Sequence, residues 1–452
     1  MRWFKGIAIA LGALLAILVA VPFFYSLDDY IPTLEQEASA RLNEPVKIGK
    51  LRVATVPLPH LTVDDITVGK SGDLKVGKVT VTPDLWSLLD ATKVIKSIEI
   101  DSVVLTQKGI EKIPAWTKTD KKPEEPARIR VEAIRLQDVL VKLDTASFGP
   151  FDAQVSVSGT GEAESVALAT RDGKLTAHVK PEKAKYRFEA NAKGWKPPAG
   201  PAIHFDELAV KGIATANDAV LDDVRARLYG GTVNGRATVG WQKGLQLKGN
   251  ASVHQVELKP LVPLLAKGVN VSGKLNAKPV FSARASEAKQ LMNALHLETP
   301  FDVRDGVLYG MDISKAATSL ISKEGSKGGE TRFDTLSGHL VMDRGVYRLT
   351  QLDIASGSLA AEGHVTISRQ QELSGRINTK VKAASVTAAN VPLNVSGTVQ
   401  NPVLMPTGGV VAGAVAGTAV LGPGLGTSVG ARVGGWVEGL FGKKEETKDG
   451  KR

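Results

Sequence analysis

From Val46 to Met405 the chain alternates apolar and polar residues with a period of two, and this pattern restricts it to β-sheet. Val79/Val81, Ile98/Ile100, Val139/Val141/Leu143, Ala153/Val155/Val157, Leu245/Leu247/Ala251/Val253, Val365/Ile367 and Leu393/Val395/Val399 recur with mostly polar residues between them. Residues i and i+2 lie on one side of a strand, so each strand has one apolar face and one wet face. Asp172-Gly173, Asn234-Gly235, Asp305-Gly306 and Arg344-Gly345 read as turns between strands. Helical patterns are confined to Pro32–Leu42, Pro83–Leu89, Leu258–Leu265, Ala285–Leu295 and Ile313–Ile321. These are too few to cover one face of so much sheet, so the apolar faces must meet each other or face something that is not protein.

The apolar content, 43%, comes from Val, Leu, Ile and Ala, since aromatic residues make up only 5%. The net charge of +10 arises from 57 basic residues spread among 47 acidic ones; no run forms a nucleic-acid-binding arm, and no nucleic-acid partner is expected. There is no cysteine, which excludes disulfide, iron–sulfur and thiolate-zinc chemistry. The seven histidines are scattered, and Asp64-Asp65 and Asp222-Asp223 would point to opposite strand faces. No catalytic, cofactor or metal constellation is expected.

Arg2 and Lys5 precede an uncharged run from Gly6 to Tyr25, which as a helix would span about 30 Å, the thickness of a bilayer core. Ile7, Leu11, Leu14 and Leu18 are its expected membrane-anchor residues, and Asp28 and Asp29 after it place the remainder of the chain outside the cytoplasm. A cleaved signal peptide is the competing reading, and it exports the chain equally. At the other end Gly409, Gly413 and Gly417, then Gly426, Gly430 and Gly434, form two four-residue ladders suited to a close-packed helical hairpin. A flexible tail is the alternative, because glycine disfavours helix. The expected divisions are an anchor (1–30), two β segments (31–200 and 201–406) meeting near Trp195–Pro201, and a glycine-rich hairpin with a charged tail (407–452). The polar stretch Trp116–Pro126 reads as an exposed loop.

Several segments resemble the AsmA family of envelope proteins. They are Arg41–Gly49, Pro57–Gly69 and Val79–Leu89 after the anchor, then Leu228-Tyr-Gly-Gly-Thr-Val233, Asp305–Asp312, Leu336–Gly345 and Val391–Pro402. Where the family usually has Gly-Arg before the first strand, this chain has Asn43-Glu44. The resemblance implies a mostly β protein: a transmembrane helix, then an elongated, curved antiparallel groove in the periplasm that conducts phospholipid from the inner toward the outer membrane. Its implied partners are membrane phospholipids, the inner membrane, and the outer membrane or an envelope protein. Val155, Val157, Leu245, Leu247, Val253, Val365 and Ile367 are the candidate groove-lining residues. A structural factor in outer-membrane protein assembly is the alternative function.

Overall fold

The computed structural model describes residues 27–116 (apart from 55 and 57), 129–142, 147–158, 163–198 (apart from 184), 200–242 (apart from 216), 244–318, 326–383 and 386–407. The anchor residues Ile7, Leu11, Leu14 and Leu18 and all six ladder glycines, Gly409 to Gly434, lie outside these residues. Among the described residues no helix is long and apolar enough to cross a membrane. The protein is mostly β and forms two compact units, one of residues 1–199 with 211–216, the other of 200–210 with 217–452.

The first unit opens with helix α1 (Ile31–Leu42), which begins at Pro32 in its first turn and ends at Asn43 in the left-handed conformation. Its strands are β1 (Val46–Lys47), β2 (Lys50–Ala54), β3 (His60–Val68), β4 (Leu74–Pro83), β5 (Lys93–Thr106), β6 (Ile129–Val131), β7 (Ala133–Lys142), β8 (Ser147–Val157), β9 (Ala163–Thr170), β10 (Leu175–Glu182) and β11 (Lys185–Trp195). β1 and β2 both pair with β3, at its two ends, and the order continues β3–β4–β5–β7–β8–β9–β10–β11. The expectation of a wholly antiparallel sheet fails at β5, which pairs in parallel with β6 and β7. Parallel neighbours need a long crossover, and here that connection contains helix α2 (Gln107–Trp116).

One row of residues crosses four strands of this sheet. Asp65, Ser102 and Asp138 each take φ of 56°, and register aligns Asp65, Gly77, Ser102 and Asp138 on β3, β4, β5 and β7. A Cβ at Gly77 would stand 2.9 Å from the Ser102 Cβ, and one at Gly49 would stand 2.8 Å from the Asp65 Cβ. The glycines therefore make room for left-handed neighbours. At this row the alternation slips by one residue in every strand. Val79 and Val76, Ile100 and Val103, and Leu136 and Val139 consequently share one face and pack in a single cluster.

β12 (Phe205–Ala214) is divided between the units. The second unit contains β13 (Asp218–Leu228), β14 (Gly231–Gly240), β15 (Leu245–Glu257), helix α3 (Leu258–Leu265), β16 (Val271–Ala277), β17 (Val280–Ala285), helix α4 (Ala288–Leu291), β18 (His296–Tyr309) and helix α5 (Ile313–Thr318). After these come β19 (Ser326–Lys327), β20 (Glu330–Asp343), β21 (Val346–Ala355), β22 (Leu359–Ile367), β23 (Leu373–Ala383), β24 (Val386–Gly397) and β25 (Pro402–Pro406). All pairings among these named strands are antiparallel, running from β13 through β18 and β20 to β25, which also pairs with β19.

Two expected turns lie inside strands instead. Asn234-Gly235 is in mid-β14 and Asp305-Gly306 in mid-β18. Their glycines serve close backbone approach: a Cβ at Gly235 would be 2.5 Å from the Asn250 carbonyl, and one at Gly306 would be 2.3 Å from that of Ser272. In Leu228-Tyr-Gly-Gly-Thr-Val233 only Tyr229 and Gly230, both with positive φ, make the hairpin turn. The expected helix at Pro83–Leu89 reduces to a 3-10 turn, Trp86–Leu89, because Pro83 ends β4.

Candidate functional site

The register places an unbroken apolar row across the first unit. Val53, Leu61, Val81, Ile98, Ile134, Val155, Val166, Val179 and Phe188 are successive cross-strand partners on nine strands. Nine strands at the usual spacing make a stripe about 38 Å long. A second row, Leu51, Val63, Val79, Ile100, Leu136, Ala153, Leu168, Ala177 and Ala190, runs beside it. The intervening row on the other face is Arg52, Thr62, Thr80, Glu99, Arg135, Gln154, Ala167, His178 and Glu189. Arg52 pairs with Asp64, which is buried as Thr62 is, and the Arg135 guanidinium lies 3.2 Å from Glu99 on that polar face.

Position within a sheet usually decides burial, because a central apolar side chain is covered by a second layer. Here Ile98, Ile134, Val155, Val166 and Val179 remain only half-buried although their strands are paired on both sides. Val155 and the neighbouring candidate Val157 lie in this region of half-burial. The apolar face is thus built, aligned and left partly open.

In the second unit Leu245, Leu247 and Val253 occupy one parity of β15, with Val239 and Val233 of β14 opposite Leu247 and Val253. All three are half-buried, whereas Lys248, Asn250, Ser252 and His254 on the other parity are exposed. Val365 and Ile367 differ in context: they border a sealed core. Among its residues are Ile313 and Leu393 at 0% exposure and Leu404 at 1%, with Val303, Phe333, Ile354, Ala361 and Ile377 around them.

Helix α5 closes that core by packing on β20, β23, β24 and β25, and Leu258 of α3 joins it. Asp312 starts α5, its carboxylate accepting the Lys315 amide at 2.8 Å. The helices cover only part of the apolar sheet, and α5 is where they do so. Six helical residues suffice because Ile313, Ala316 and Ala317 all point into the sheet.

Three polar arrangements escaped the sequence reading. Asp73, at 1% exposure in the β3–β4 turn, accepts from Lys112 of α2 at 2.8 Å and from the Ser71 hydroxyl at 2.9 Å. The Lys112 ammonium also reaches Glu44 at 2.5 Å. These contacts, Lys112 first, hold the Asp73 carboxyl below its usual range, while Asp73 and then Glu44 raise Lys112. Second, His339 meets Glu298 at 2.9 Å and His296 meets Asp343 at 3.4 Å, pairs formed between strands far apart in sequence. Third, α1 protects the sheet edge. Its Ser39 hydroxyl accepts the Val46 amide at 2.9 Å, and Glu35 accepts the Ile48 amide at 2.8 Å. The Ile48 bond is the main cause of a lowered Glu35 pKa.

Among the described residues no group of three or more His, Asp or Glu side chains is placed to hold a metal ion. Residues 199–352 match the AsmA family model, so the resemblance carried by Leu228–Val233, Asp305–Asp312 and Leu336–Gly345 is shown over that stretch. No curated protein and no solved structure matches the chain.

Proposed function

We propose that this envelope protein is a non-enzymatic phospholipid conduit, held in the inner membrane by its N-terminal apolar run and exposing its β units to the periplasm. The observation that carries the proposal is the aligned, half-exposed apolar row from Val53 to Phe188, with a polar row behind it. Each CH₂ removed from water contributes about 0.8 kcal/mol, so a long acyl chain crossing an aqueous space unaided costs on the order of 10 kcal/mol. A stripe of Val, Ile and Leu running across the strands offsets that cost at every step, with the headgroup kept wet at the open side. The work is transfer: a chain slides between similar sites without a bond being made or broken.

Native mass spectrometry of the full chain, released from membranes in mild detergent, tests this reading. Bound phospholipid, lost when Ile98, Val155 and Val166 are changed together to Asp, is the expected result; a lipid-free protein contradicts it. The sealed core around Leu393 favours a second reading, a structural factor in outer-membrane protein assembly. For that factor, crosslinks from the apolar face would go to protein alone.

A further inference from the structure

Two loops leave the same end of the first unit's sheet. The β2–β3 connection presents Val56 and Leu58, and the β4–β5 connection presents Leu85, Trp86 and Leu89. They are neighbours in topology, because β2, β3, β4 and β5 are consecutive in the sheet and their other connections lie at the opposite end. Trp86 is 81% and Leu89 86% exposed. Large apolar side chains clustered at such exposure mark a surface that meets a partner.

We propose that these loops form a lip that dips into the interfacial layer of a phospholipid bilayer, the membrane from which the conduit loads. Indole rings settle at the headgroup level with leucines beneath them. Arg52 and Lys96 are taken up by ion pairs with Asp64 and Asp84, so the lip's apolar side chains, and not its charge, make the contact.

Placement supplies the second argument. The apolar run Gly6–Tyr25 ends just before α1, which leads directly into β1 and is bonded to it through Ser39 and Glu35. β1 pairs with the Val68 end of β3, and the lip is at the His60 end, about 30 Å away along the strand. Anchor and lip would hold the two ends of the sheet's free edge, so that the first strands lie along the bilayer and the apolar row opens onto it.

The inference rests on the conduit reading and is tested separately from it. The chain has no cysteine, so Leu89→Cys carries the only thiol and takes an environment-sensitive fluorophore; Asp172→Cys, in the β9–β10 turn, is the control. Both labelled full chains are placed in nanodiscs of phosphatidylethanolamine and phosphatidylglycerol, with or without doxyl-labelled lipid. The expected result is blue-shifted emission at position 89, quenched several-fold more strongly by doxyl lipid than at position 172. Equal quenching at both positions, no quenching at 89, or shielding at 89 only in native membranes that contain other proteins would overturn the lip. Phospholipid crosslinking to Val155 with a solvent-exposed position 89 would remove the lip and keep the conduit; a buried label beside a lipid-free lining would do the reverse.

Discussion

Val155 and Val166 face each other across β8 and β9, and both stay half-buried although each strand is paired on both sides. If hydrocarbon is their partner, charging them leaves the empty protein folded. Val155→Asp with Val166→Lys, an opposite-charge cross-strand pair, is expected to change unfolding free energy by no more than about 1–2 kcal/mol. Bound lipid should fall at least tenfold. Denaturant melts beside lipid extraction check both halves.

Leu393, at 0% exposure beside Ile377 and Leu404, sits in the opposite environment. Leu393→Ala should destabilise the second unit by about 2–5 kcal/mol, through lost transfer energy and the remaining cavity. Urea unfolding followed in that unit reads it directly, and a loss below 1 kcal/mol would mean that α5 does not seal the core.

The crossing row predicts coupling between Gly77 and Ser102. Gly77→Ala crowds the Ser102 Cβ and should cost about 1–3 kcal/mol. Adding Ser102→Gly removes both the crowding atom and the left-handed strain, so the double variant should recover most of the loss. Additive losses in the cycle would refute the assignment.

Acid should loosen the α2 end of the first unit. Asp73 titrates below its ordinary value, so its ion pair stabilises the fold above about pH 4 and that contribution is lost as pH falls through the lowered value. Lys112 is raised, so its share persists until pH climbs past about 10. Melting temperature measured from pH 2 to 6 should drop less steeply in Lys112→Met than in the unchanged protein, since the main cause of the Asp73 shift is gone.

Much of this was legible in the sequence because strand alternation directly records which face is greasy. Pro32–Leu42 and Leu258–Leu265 were legible as helices for the same reason, their apolar spacing and, for the first, Pro32 and Arg41 at its ends. The phase slip at Asp65, Ser102 and Asp138 was not, since the left-handed turn of each residue is set by strands on either side. The parallel β5–β7 pair was hidden for a related reason: alternation reveals faces and is silent on strand direction. The seal by α5 depends on only six residues whose partners lie up to about 90 positions away. The His339–Glu298 pair likewise exists only once β18 and β20 align.

Site-specific photocrosslinking along Leu245–Val253 in cells tests the central claim most directly. Phospholipid adducts are expected from positions 245, 247 and 253, which share the apolar face, and none from 246, 248 and 252. Adducts of equal yield at both parities, or adducts to protein alone, would contradict it.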